Sequence, residues 1–170
     1  MRKNIDISPH CVPSEVAVNV APKDPISITR LATLHPLVRD TFTRFIVAAE
    51  TELNITLRIT HALRTIAEQN ALYAQGRTTA GKIVTNAKGG QSYHNVGMAI
   101  DVVELVGKTV NWNFDYSKLK PIADRFGIEW GGTWKFVDKP HFQITFGYKI
   151  AQLAAMLKDK SGYPIIPNIK

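Results

Sequence analysis

The sequence predicts a single α+β domain: a small antiparallel sheet with helices packed on it. Three observations carry that expectation. Over residues 36–53, Leu37, Val38, Phe42, Phe45, Ile46, Ala49 and Leu53 recur at three- and four-residue spacing, the pattern of a helix with one buried face. Three short runs (55–60, 98–106 and 140–146) show strand character, and no repeat, low-complexity stretch or linker divides the chain. At 170 residues and 45% apolar, the chain can also bury a core that needs neither disulfides nor a structural metal.

Taken in order, residues 1–33 read as an extended N-terminal arm, because Pro9, Pro13, Pro22 and Pro25 stand too close together for long regular elements. Residues 34–170 form the domain. Pro36 suits the first turn of the 36–53 helix. Asn54 turns the chain into a strand in which Ile55, Leu57 and Ile59 alternate with Thr56, Arg58 and Thr60. A second helix fits Thr65 to Ala74, with Thr65 and Glu68 spaced as a capping box and Gly76 closing it. Residues 76–92 are a long polar, glycine-bearing loop, a length more often functional than idle. In the 98–106 strand Ala99, Asp101 and Val103 share one face, and Gly107-Lys108 marks a turn. Residues 116–126 read as a helix despite Pro121, ended by Gly127. An aromatic and glycine segment, Glu129 to Trp134, leads to the 140–146 strand, in which His141, Gln143 and Thr145 point one way. A last amphipathic helix is expected over 148–158, burying Ile150, Leu153, Ala154 and Leu157, and then an extended tail at 162–167.

Composition narrows the chemistry. The single cysteine, Cys11, rules out an internal disulfide and a cysteine zinc cage. The net charge of +7 draws the protein to polyanions, among them nucleic acid, anionic membranes and anionic cell walls. No nucleic-acid-binding signature is present, so no nucleic acid partner is expected. The first residues lack the apolar run of an export signal, and no stretch is long enough to span a bilayer. The expectation is a soluble monomer made in the cytoplasm without a classical signal peptide and without stable membrane insertion.

The stretch that organises the chain is Ser92 to Asp101, answered downstream by Asp138-Lys139-Pro140-His141. Two imidazoles and a carboxylate, His94, Asp101 and His141, form a candidate zinc triad, since catalytic zinc is commonly held by three nitrogen and oxygen ligands with a fourth position left for water. If the 98–106 and 140–146 strands pair antiparallel, Asp101 and His141 project from one face while His94 reaches in from the preceding loop. His10, His35 and His61 are read as bystanders, and Trp130, Trp134 and Phe136 either as core or as the wall of a cleft.

The pattern Ser92-x-His94-x-x-Gly97-x-Ala99-x-Asp101, followed by Trp130-Gly131-Gly132 and Asp138-x-Pro140-His141-Phe142, resembles the zinc peptidases of the lysostaphin, D-Ala-D-Ala peptidase and hedgehog superfamily. Within it the sequence is most similar to the L-alanyl-D-glutamate endopeptidase branch of phage endolysins and bacterial wall hydrolases. The likeness extends from Thr60-x-x-x-Arg64 through Glu68-Gln69, Leu72-Tyr73, Gly76-Arg77-Thr78 and Val84-Thr85-Asn86-Ala87 to Gln143, roughly half the chain. The resemblance implies zinc on His94, Asp101 and His141, with Asp138 as the general base. It further implies Arg64 holding a carbonyl oxygen or a substrate carboxylate, and Ser92 assisting there. The partner it implies is the peptidoglycan stem peptide, cut between L-Ala and D-Glu. D,D-carboxypeptidases and dipeptidases share the zinc signature and are the enzymatic rival. A non-catalytic wall-binding module is the rival from another class.

Overall fold

The computed structural model describes residues 21–167, so Cys11, His10 and the first two prolines of the expected arm lie outside the described residues. The described elements, in order, are α1 (Pro25–Leu31), α2 (Pro36–Glu52), β1 (Leu57–His61), α3 (Ile66–Ala74), β2 (Ala99–Val106), β3 (Thr109–Asn111), α4 (Lys120–Arg125), β4 (Glu129–Trp130), β5 (His141–Gln143) and α5 (Ile150–Ala155). Short 3-10 turns precede β2, α4 and β5. All strand pairs are antiparallel; the sheet order is β1-β2-β5-β4, with β3 returning as a hairpin on β2. The expected α+β class and small antiparallel sheet are what the chain forms.

One face of the sheet is the core. Register pairs Ile100 with Phe142, and both are fully buried with Ile59 and Leu57. Phe42, Phe45 and Ile46 from α2 are buried with them, the Phe45 and Phe142 rings lying 5.1 Å apart. The pleat then sends the alternate residues, paired as Asp101 with His141 and Ala99 with Gln143, to the opposite face. The same alternation that builds the core therefore aims two candidate ligands at one place.

The segment 25–31, expected as part of an extended arm, is helical, and the reason is the free edge of β1. Asp24 caps α1 through Ser27, whose Oγ accepts a 2.8 Å hydrogen bond from the Ile59 N–H, while Arg30 donates to the Ile59 carbonyl. A helix thus supplies the partners a neighbouring strand would, and covers an edge otherwise open to association. Asp24 is itself buried. Burial alone raises its carboxyl, but hydrogen bonds from Arg58 (2.8 Å) and Ser27 (2.9 Å) outweigh that and hold it below its ordinary value of 3.8. A depressed carboxyl stabilises the fold above the unfolded-state value, and that contribution disappears as pH falls through the lower folded-state value. Asp24→Asn is therefore expected to cost about 1.5–3 kcal/mol at neutral pH. The difference from the parent, read from urea midpoints, should shrink as the solution is acidified below 3.8.

Other departures have equally local causes. Pro121 occupies the first turn of α4, where its missing N–H has no partner to lose, and residues 116–119 form a 3-10 turn. The expected 140–146 strand is only His141–Gln143, because the chain leaves the sheet and Phe146 takes a left-handed φ of 48°. The expected 148–158 helix is only Ile150–Ala155; Leu157, assigned to its buried face, lies beyond it and is 82% exposed. The tail does lie on the body: Tyr163 Oη donates to the Thr33 carbonyl (2.7 Å) and His35 Nε2 to the Pro164 carbonyl (2.9 Å). Gly97 is required where this region meets the site. Its φ is 69°, and a Cβ there would stand 2.8 Å from the His35 backbone nitrogen, which donates to the Gly97 carbonyl.

Candidate metal centre and cleft

His94 sits in the 3-10 turn Tyr93–Val96, anchored from both sides. Ser92 Oγ caps the turn by accepting from the His94 N–H (3.4 Å), the His94 carbonyl accepts from the Arg64 N–H (3.0 Å), and Asn95 Nδ2 donates to the Arg64 carbonyl (2.9 Å). The turn is thereby tied to the end of β1. Asp101 and His141 are direct cross-strand partners on β2 and β5, and a register irregularity between Ile59 and His61 bends β1 beside them.

The three side chains converge. His94 Nε2 lies 3.2 Å from Asp101 Oδ1 and 3.2 Å from His141 Nδ1, and His141 Nδ1 lies 3.1 Å from Asp101 Oδ1. Among the described residues this is the group whose ligand atoms lie close enough to hold an ion. The near-equilateral triangle matches a tetrahedral zinc, whose ligands at roughly 2.0–2.1 Å from the metal stand about 3.3 Å apart.

The donor chemistry fits as well as the distances. His94 Nδ1 is 2.8 Å from the Ala62 carbonyl, which can only accept, so that nitrogen carries the hydrogen. His141 Nε2 is 3.0 Å from Gln143 Oε1, which likewise only accepts. With the hydrogens on those outward nitrogens, the two inward nitrogens carry lone pairs, and they face each other beside a carboxylate oxygen. Three electron-rich atoms so placed suit a cation, with each outward hydrogen bond orienting a ring toward it.

The electrostatics follow. Burial pushes the Asp101 carboxyl up, but the charge of His94 and the hydrogen bonds from His141, His61 and His94 overcome this and hold it well below the usual carboxylate range. Burial lowers the His94 imidazole. It acts the same way on His141, where the hydrogen bond and charge of Asp101 prevail and raise it.

The second oxygen of Asp101 faces away from the triad. Oδ2 accepts from Arg64 Nη2 at 3.2 Å and lies 3.4 Å from His61 Nδ1. Arg64 is only 8% exposed, and its Nη1 donates to the buried Gln69 (2.8 Å), which in turn donates to the Ala87 carbonyl (2.8 Å). Both terminal nitrogens of Arg64 thus make hydrogen bonds within the protein, and the residue also lines the cleft. Ser92 lines the cleft, and its oxygen serves as the cap of the His94 turn. His61, read as a bystander, belongs to this network; its place at the end of a strand beside β2 was the signal. His35 is a structural histidine that caps α2 through Nδ1.

Asp138 stands in the loop between β4 and β5. Its N–H donates to the Gly131 carbonyl (3.0 Å) and its own carbonyl accepts from the His141 N–H (3.3 Å). Gly131 permits this closure, since a Cβ there would lie 2.6 Å from the Asp138 carbonyl oxygen. Solvent reaches the Asp138 side chain, yet neighbouring protein raises its carboxyl first by desolvation and then through the charge of Asp101. Among the described residues no donor pairs with that carboxylate.

The triad lies in a cleft of about 850 Å³. One wall is Thr85, Asn86, Ala87 and Gln91 from the long loop. Arg77 fastens this loop to α3 by donating to the Tyr73 and Thr85 carbonyls and to Asn86 Oδ1, with its guanidinium 4.0 Å from the Tyr73 ring centroid. Another part of the lining is aromatic and apolar: Trp112, Trp134, Phe136 and Val137, with Trp134 centred 5.1 Å from the His141 ring. Trp130 is partly buried and packs against the core, stacked on Phe142.

Comparisons with known proteins agree with this geometry. Residues 85–144, which contain all three triad residues and Asp138, match a protein-family profile described as D-alanyl-D-alanine carboxypeptidase. The chain is 39% identical over 123 residues to the peptidoglycan L-alanyl-D-glutamate endopeptidase CwlK of Bacillus subtilis, covering 65% of this chain and 73% of that protein. It is 48% identical over 64 residues to the L-alanyl-D-glutamate peptidase of Listeria phage A118, covering 35% of this chain but only 22% of the phage protein. The crystal structure of the Serratia marcescens L-Ala D-Glu endopeptidase ChiX is similar, with a TM-score of 0.53 and 28% identity over 72% of this chain and 88% of that one. A catalytic-type His-Asp-His arrangement on this sheet, with a relative matched over most of its length, gives the identification: the chain belongs to the M15 peptidase family.

Proposed function

We propose that the protein is a zinc peptidase of bacterial cell walls that hydrolyses the bond between L-Ala and D-Glu in the peptidoglycan stem peptide. The observation that carries this reading is the convergence of His94 Nε2, Asp101 Oδ1 and His141 Nδ1 in the cleft that Asp138 also lines. The names of CwlK, the phage peptidase and ChiX favour that bond. His94, Asp101 and His141 would hold the zinc, which would supply Lewis acidity and acidify a water. Asp138, whose carboxylate has no hydrogen-bond donor among the described residues and whose carboxyl is raised by desolvation, takes a proton from the attacking water and returns one to the departing amine of D-Glu. Arg64 acts through Asp101, neutralising and orienting its outer oxygen. Ser92 acts by holding the turn that carries His94.

The cleft's volume of about 850 Å³, with the triad in its lining, suits a peptide substrate. The basic surface suits an anionic wall. The protein works on that wall as a monomer, without nucleic acid; among the described residues no helix is long and apolar enough to cross a membrane.

The description of the matched family profile favours a second reading, release of terminal D-Ala. Incubation with purified peptidoglycan, followed by mass spectrometry and labelling of new amino termini, separates the two. A free amino group on D-Glu is expected. Free D-Ala without new D-Glu termini would replace the endopeptidase reading by the carboxypeptidase one.

A further inference from the structure

The two histidines of the triad fix their hydrogens by different means. His94 Nδ1 faces a backbone carbonyl, which cannot change its role. The proton of a neutral His141 can sit on Nδ1, where Asp101 Oδ1 at 3.1 Å and the lone pair of His94 Nε2 at 3.2 Å would accept it, or on Nε2, where Gln143 Oε1 accepts at 3.0 Å. Only the proton on Nε2 leaves Nδ1 free to bind a cation. Gln143 is a side-chain amide that presents either an acceptor or a donor, depending on which way it is turned. What turns it is Glu129, whose Oε2 accepts from Gln143 Nε2 at 2.9 Å and whose Oε1 accepts from Thr145 Oγ1 at 2.8 Å. A carboxylate can only accept, so it keeps the NH₂ group outward and the carbonyl of Gln143 on His141. The register of β4 with β5 builds this contact, because it sets Glu129 directly opposite Gln143.

We propose that Glu129 and Gln143 form a positioning relay that holds the His141 proton on Nε2 and so keeps Nδ1 available to the metal. The inference rests on the metal reading above and adds to it two residues that touch neither the triad's ligand atoms nor the attacking water. If Glu129 is removed, Gln143 is free to rotate and present its NH₂ to Nε2, which drives the proton to Nδ1, where Asp101 accepts it and the metal position is blocked.

Four proteins test this: the parent, Glu129→Ala, Glu129→Gln and the double variant Glu129→Ala/Gln143→Glu. Zinc dissociation constants are read by competition with a chromophoric chelator. The Glu129→Ala change is expected to weaken zinc by about 10–100-fold, the range for partners that orient a ligand. Glu129→Gln, which still offers a carbonyl to Gln143, is expected to stay near the parent. The double variant is expected to recover most of the loss, because a carboxylate at position 143 accepts from Nε2 without needing to be oriented. A purely structural role for Glu129 predicts no such recovery.

Imidazole ¹⁵N shifts of the metal-free proteins at about pH 9, above the usual imidazole range, supply a readout independent of zinc. The Nδ1–H form of His141 is expected to rise in Glu129→Ala and fall again in the double variant. Unchanged zinc affinity and tautomer populations in Glu129→Ala, or a double variant as weak as the single one, would overturn the relay. Should the parent itself fail to bind zinc, the metal reading fails, while the tautomer populations still decide the relay.

Discussion

Asp138→Ala is expected to bind zinc at close to one equivalent and to lose roughly 10²–10⁴-fold in kcat on muropeptides. Holding the ion and moving the proton fall to different side chains. The three atoms that converge belong to His94, Asp101 and His141, and the carboxylate of Asp138 is not among them. Its backbone, by contrast, is part of the frame: the N–H and carbonyl of residue 138 bridge Gly131 and His141 whatever side chain is present. Truncation at Cβ therefore keeps the loop and the His141 ring in place while removing a cleft-lining carboxylate. Elemental analysis together with single-turnover assays checks both halves. Retained activity would take the base role from Asp138, and lost zinc would make it a ligand. Asp138→Asn sharpens the result, since the amide keeps the volume yet cannot accept a proton in the pH range of the reaction.

How much of this was legible in the sequence depends on how locally each feature is determined. The alternation in 98–106 and the placement of His141 sufficed to put Asp101 and His141 on one face, because a pleat fixes side-chain direction by parity alone. The Thr65 and Glu68 capping box was legible for the same reason, being a contact three residues long that the structure reproduces in both directions. The helix α1 was not legible, since its formation answers to the β1 edge thirty residues away, and four nearby prolines spoke against it. The length of β5 was lost because alternation continues through Phe146 while the backbone does not. Arg64 is assigned to a carbonyl oxygen or a substrate carboxylate by the resemblance alone, and nothing local in the sequence announces its burial. It is buried because its partners, Gln69 and Asp101, come from two different elements. The Glu129 and Gln143 pair required knowing that β4 and β5 are neighbours, which a two-residue strand does not announce.

The largest combined loss of metal binding and stability is expected for Asp101→Asn. Asp101 uses its two oxygens in opposite directions: Oδ1 completes the triad, and Oδ2 accepts from Arg64 and faces His61. An amide has one oxygen to give. If it is turned toward the triad, its NH₂ meets the guanidinium of Arg64. If it is turned toward Arg64, the NH₂ occupies the ligand position. Either orientation sets donor against cation in a site where Arg64 is buried. Removing one partner of a buried charge pair costs about 3–5 kcal/mol, so the metal-free variant should unfold at distinctly lower urea concentration. Its zinc affinity should fall by more than about 100-fold, beyond the range for residues that only orient a ligand. Arg64→Met provides the comparison. It removes only the outer partner, leaves Oδ1 in place, and is expected to weaken zinc by about 10–100-fold. Measured by the same chelator competition, affinities should rank parent, Arg64→Met, Asp101→Asn. An Arg64→Met variant with parental zinc affinity but raised KM would instead return Arg64 to direct contact with substrate. That outcome would mean the two hydrogen bonds now holding its terminal nitrogens give way when a stem peptide enters the cleft.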